Sequence, residues 1–161
     1  DVEMIIPLHE IVSDTDPVIT RIGAASYKKT LVAGTTHNLY IPLSLLWHRT
    51  YATIPHGCKL LSLSLAYRVN TGDLTSITLK VYTRLLAAAT AVPAAVEIVS
   101  TTTGDVLTSG ANLRVAVATV TTPVFITATM TELTAEAVVV VAGGNTCDIL
   151  GAVAKVSMGL H

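Results

Sequence analysis

Charge, aromatic rings and cysteine are all scarce in this chain, and each shortage closes off a class of function. Only 13% of its 161 residues are charged, against about a quarter in an ordinary soluble domain, and the net formal charge is −1. A nearly neutral chain exerts little long-range pull on nucleic acid or an anionic membrane, so neither is an expected partner. One Trp, five Tyr and one Phe are too few for a platform of stacked bases. The two cysteines, Cys58 and Cys147, have no zinc spacing. They fit either a disulfide or two buried thiols, the second being the simpler arrangement. Long apolar runs are missing too: the best, Leu85 to Val96, is about a dozen residues and holds Pro93, too short to span a bilayer as a helix. The opening Asp1-Val-Glu-Met-Ile-Ile-Pro7 has no basic stretch, cleavage signal or initiating Met, as in a chain that was trimmed or numbered from its first ordered residue.

What is present is aliphatic. Hydrophobic residues make up 51% of the chain, chiefly Ala, Val, Leu and Ile, with Thr as their main polar companion. Such a chain collapses rather than staying disordered, and its length suits one domain around one core. β-branched residues stiffen extended backbone and suit pleated, half-buried surfaces. So much apolar surface with so little charge is usually hidden by association, so a homo-oligomer is expected.

The strongest pattern is strict alternation over two neighbouring stretches, Lys59 to Val69 and Leu74 to Arg84. Leu61, Leu63, Leu65, Tyr67 and Val69 share one face, opposite Ser62, Ser64 and Arg68. Ile77, Leu79 and Val81 alternate with Ser76, Thr78 and Lys80. Period two requires extended backbone, and the intervening Asn70-Thr-Gly-Asp73 predicts a β-hairpin. Further strands are expected at Met4 to Leu8 (an edge strand, given Pro7), Leu39 to Leu43, Val96 to Gly104, Leu113 to Val120 and Val124 to Met130, with Pro123 as a break. Ala137 to Val141 is an unbroken apolar run, as in a strand buried on both faces. The last strand spans Ile149 to Leu160, with Leu150, Ala152, Ala154, Val156, Met158 and Leu160 on one face. Ser44 to Thr50 is read as a helical turn or corner around Trp47, and Leu85 to Ala95 as an irregular connection or weak strand. The fold class that follows is all-β: a single antiparallel β-sandwich, jelly-roll-like, of about eight strands over residues 1–161. Residues 1–35 form an extended N-terminal segment able to pack on a neighbour.

Chemistry is hard to find. His9, His37, His48, His56 and His161 show no metal-ligand spacing. His56 and Cys58 are close in sequence, but extended backbone sets residues two apart at roughly 6.6 Å, so a bend is needed before the ring can activate the thiol. Asp14 and Asp16 flank a turn, where bonds to backbone explain them better than calcium. Glu132 and Glu136 bracket a Thr-rich loop as a solvated rim. Gly143-Gly144 follows a strand but precedes no Lys-Ser/Thr and no helix, so it reads as a turn and not a phosphate loop. No catalytic, cofactor-binding or metal residues are assigned, no cofactor is expected, and the chain is read as non-enzymatic.

Several segments together carry a resemblance: Ile6-Pro-Leu8, Ile54-Pro-His-Gly57 leading into Leu-x-Leu strands, Leu74-Thr-Ser-Ile-Thr78, Asn112-Leu-Arg-Val115 and Gly151-Ala-Val-Ala-Lys-Val156. In that order the chain resembles small virion structural proteins of tailed bacteriophages and similar viruses, chiefly capsid decoration (cement) proteins. The resemblance implies a non-enzymatic subunit on the outer capsid surface, extracellular as part of the particle. Its partners would be its own copies, with a trimer expected, and the major capsid protein or other virion proteins. The acidic start, Asp1-Val-Glu3, fits an external position better than a genome-facing one. An alternative is a trimeric receptor- or glycan-binding module (a tail-fibre tip, lectin-like or TNF-like), with Trp47, His48 and Tyr51 as its contact residues. A third is a self-assembling cell-surface or filament subunit.

Overall fold

Alternating side chains bury one face of each strand, and two such faces need each other. The computed structural model describes residues 1–15, 19–22, 26–32, 34–43, 58–72, 74–85, 96–103, 110, 112–126 and 131–157. Their strands, in chain order, are β1 (Val2–Ile6), β2 (Val12–Ser13), β3 (Ile19–Ile22), β4 (Ser26–Leu31), β5 (Thr35–Ile41), β6 (Cys58–Thr71), β7 (Leu74–Leu85), β8 (Val96–Thr103), β9 (Arg114–Ile126), β10 (Thr131–Val141) and β11 (Thr146–Ser157). A single 3-10 turn at Leu8–Glu10 joins β1 to β2. No helix among the described residues is long and apolar enough to cross a membrane.

The strands form two antiparallel sheets. Sheet A runs β3-β4-β11-β6-β9, with β1 also paired to β11; sheet B runs β2-β5-β10-β7-β8. The pairings β4·β11, β5·β10, β6·β9 and β7·β8 are those of one long ribbon folded at its middle and rolled over a core. That is the jelly roll, eight strands wound as two Greek keys, with β1, β2 and β3 as short additions. Leu63, Leu65, Tyr67, Ile77, Leu79, Val81, Ala137, Val139 and Ile149 meet in the middle, each essentially inaccessible to water. The N-terminal segment lies on its own sandwich: Met4 and Ile6 are buried over Ala154 and Ala152 of β11, with which they pair.

Four expectations need correction. The stretches β6 and β7 are strands, but they do not form a hairpin. β6 bonds to β11 and β9 in sheet A, and β7 to β10 and β8 in sheet B. Their connection is an arch across the core, which buries both apolar faces against each other; alternation says which face is buried, not which strand sits alongside. Second, Leu61 is not in the core row. A bulge sets Leu60 and Ser62 opposite the adjacent Val156 and Lys155, so Leu60 turns inward at 1% exposure and Leu61 is half-buried. A similar slip at Leu150 and Gly151 makes Cys147, Ile149 and then Ala152 the inward residues, leaving Leu150 half-buried. Third, Pro123 does not break the strand: β9 continues to Ile126, because an edge strand has one side on which the missing N–H costs nothing. Pro123 falls where the register with β6 slips. Fourth, β10 is buried on one face only. Ala137, Val139 and Val141 are interior and Val138 and Val140 half-buried, and Glu132 and Glu136 belong to this strand instead of a loop.

Candidate functional site

With the inward faces filled by aliphatic side chains, chemistry is left to the outer faces and the edges. On sheet B the inward positions Leu39, Ile41, Leu79, Val81, Ala135 and Ala137 turn Tyr40, Lys80, Tyr82, Thr134 and Glu136 outward. The register lines up Tyr40 on β5, Glu136 on β10, Lys80 on β7 and Ser100 on β8 in one row across four strands. Tyr82 sits two residues along β7 from Lys80, opposite Thr134, and its hydroxyl donates to Glu136 Oε2 at 3.4 Å. Burial raises the Tyr82 pKa first, and the negative charges of Glu136 and Glu97 add to that against the opposing pull of Lys80. Its hydroxyl therefore remains a donor. Tyr40 is 43% exposed, an aromatic ring that reaches solvent among the described residues. Strand spacing and rise put Tyr40 and Tyr82 about 12 Å apart, with Glu136 between them.

A different cluster lies on the outer face of sheet A. Asp148 on β11 has no exposed side-chain surface, yet it lies on the polar side, opposite Thr30 of β4 and Arg68 of β6. Its carboxylate accepts from Lys28 Nζ at 2.9 Å, Arg68 Nη2 at 2.9 Å and Thr30 Oγ1 at 2.7 Å. The Arg68 Nε donates in turn to Asn70 Oδ1 at 3.1 Å. Burial by itself would raise the Asp148 pKa, but bonds from Thr30, Lys28, Asn70 and Arg68 outweigh it and hold the carboxyl below the usual range. Every acceptor position is engaged, so the cluster is a brace tying β4, β11 and β6 together.

The described candidates from the sequence resolve in the same way. His37 is buried at 1% exposure, its Nε2 donating to the Val32 carbonyl at 3.0 Å. In the neutral ring Nδ1 then accepts from the Thr15 hydroxyl at 2.6 Å, which itself accepts from Ser13 at 3.0 Å. This chain closes the start of sheet B over β5. Asp14 accepts from the backbone N–H and side-chain amide of Asn38 at 3.0 and 2.6 Å, a clamp between the end of β2 and β5 more than the hold on its own turn expected of it. Lys29 points into the sandwich and donates to the Ile11 carbonyl. Cys147 is a buried free thiol, its pKa pushed up to about 12 by burial and by the neighbouring Asp148 charge. His9 is exposed and faces Glu10 at 3.5 Å. Trp47, His48, Tyr51, His56, Asp16, His161 and the side chains of Cys58 and Glu132 lie outside the described residues. Among the described residues no three His, Cys, Asp or Glu side chains group as metal ligands.

No family model and no curated protein matches the chain. Among solved structures it is similar to TmCBM61 in complex with β-1,4-galactotriose, at 12% identity and a TM-score of 0.44, covering 92% of this chain and 87% of the other.

Proposed function

We propose that this chain is a non-catalytic recognition module that binds glycan on the outer face of sheet B. One observation carries it: Tyr40 and Tyr82 flank Glu136 and Lys80 on a single sheet face, built on rigid strands. Aromatic rings offer a flat apolar surface to the C–H face of a sugar, while a carboxylate, an ammonium and a phenol exchange hydrogen bonds with its hydroxyls. The spacing of the two rings suits an oligosaccharide more than a monosaccharide. A glycan array followed by calorimetric titration tests this. Tyr40→Ala is expected to weaken the best ligand at least about tenfold while leaving the fold intact. Absence of any glycan ligand, or equal affinity in a Tyr40→Ala/Tyr82→Ala double variant, would sink the proposal.

A second reading is the virion structural subunit, a decoration protein assembled with its own copies and a capsid protein. It is supported by apolar side chains left in solvent on sheet A and its flank, Ile5 at 76% and Leu113 at 60%, on a chain with few charges. Mass and images of native particles would decide it: the chain must ride on a capsid in symmetric copy number.

A further inference from the structure

The edges of a β-sandwich are where chains find one another, and most of these edges are protected. β2 has two residues and β3 four. β1 carries an exposed Glu3 and β8 an exposed Glu97. Short strands and edge charges are the usual devices against unwanted pairing. β9 differs. It is thirteen residues long and, beyond Arg114 at its start, carries no charge up to Ile126. Among the described residues it is paired to β6 alone. Its inward Ala116 and Ala118 are fully buried, while Leu113, Val115 and Val117 stand 60, 54 and 44% exposed on the outer side.

From this we infer that β9 is a docking edge for a second copy of this chain, joined antiparallel about a two-fold axis at Ala116. The occupant follows from charge. An antiparallel two-fold sets a strand against itself, so a charged edge would oppose its own like, whereas an uncharged one is self-complementary. An axis at Ala116 sets each Val115 beside the Val117 of the other copy and Leu113 beside its Thr119, covering the exposed valines with one another. Backbone bonds then continue sheet A from one protomer into the next. Pro123 lacks an N–H and ends the pairing on that side. Such a contact alone covers less than the about 800 Å² per partner of a standard interface, so its affinity belongs in the micromolar range. It is independent of whether sheet B binds glycan.

The full-length chain should be run by sedimentation equilibrium, with amide exchange followed at low and high concentration. A dimer is expected, with exchange at Val115 to Thr119 slowing as concentration rises. Val117→Lys, on an exposed position the monomer tolerates, should raise the dissociation constant at least about tenfold. Thr119→Lys serves as the second variant should the first fold poorly. A wild-type monomer at high micromolar concentration overturns the inference. So does a dimer or trimer that both lysine variants leave intact and whose β9 amides exchange independently of concentration.

Discussion

Asp148 is the residue whose environment departs most from its sequence context. It stands between Cys147 and Ile149, with nothing in the local pattern to mark an acid that loses all contact with water. Only partners from distant strands, Lys28 and Thr30 on β4 and Arg68 on β6, make that burial tolerable. Asp148→Asn leaves Lys28 and Arg68 without their counter-charge. Because both retain solvent contact, a loss of about 2 kcal/mol is expected in urea unfolding, below the full cost of a severed interior pair. The carboxyl's folded pKa is depressed, so its contribution is present above the unfolded value near 3.9 and disappears as pH falls through the folded one. The acid limb of a stability-versus-pH curve should flatten in Asp148→Asn; an unchanged limb would remove Asp148 from its cause. Cys147 makes a separate prediction. With its pKa near 12 and no exposed surface, it should resist iodoacetamide at pH 8 in the folded chain and react once unfolded, read by peptide mass.

Elements were the most legible level. Alternation located β6, β7, β8 and most of β9 and β11, because extended backbone leaves a period-two trace in any half-buried strand. It failed at the bulges beside Leu61 and Leu150, where one extra residue swaps the faces; the first has no compositional mark, whereas Gly151, at φ +151°, marks the second as a lone glycine inside a strand. Arches are harder still to read, since Asn70-Thr-Gly-Asp73 has the composition of a hairpin turn. Two glycines separate backbone strain from crowding. Gly144, at φ +80°, sits in the β10–β11 turn with open space where a Cβ would go, whereas Gly72, at φ +61° in the β6–β7 arch, is pressed against the Asn145 side chain. Gly144→Ala should therefore cost about 1 kcal/mol from backbone strain alone, and Gly72→Ala modestly more, because the amide end of Asn145 must also swing aside. Equal losses in thermal unfolding would show that the two connections do not pack as described.

For the whole molecule, topology governs kinetics. Leu31 pairs with Cys147 and Val2 with Val156, so the sandwich closes only when distant parts of the chain meet. Folding in milliseconds to seconds is expected by stopped-flow, slower than a helical domain of equal length. Leu79→Ala, at the centre of sheet B, should lower stability by about 2–5 kcal/mol. The same topology builds the candidate glycan face. Lys80 and Glu136 were visible as polar residues, and Tyr40 lies between the core residues Leu39 and Ile41, but their convergence depends on β5, β10 and β7 lying side by side.

Composition and alternation by themselves determined that this chain is all-β, has one aliphatic core and puts little charge on its surface, because burial of one strand face is a local property written every second residue. Which strands lie together, where the faces switch, and which polar groups meet were decided only by the tertiary structure. Hydrogen bonds between strands are made by backbone groups that every residue shares, so partners are selected by how the whole ribbon rolls up and not by any segment's own residues.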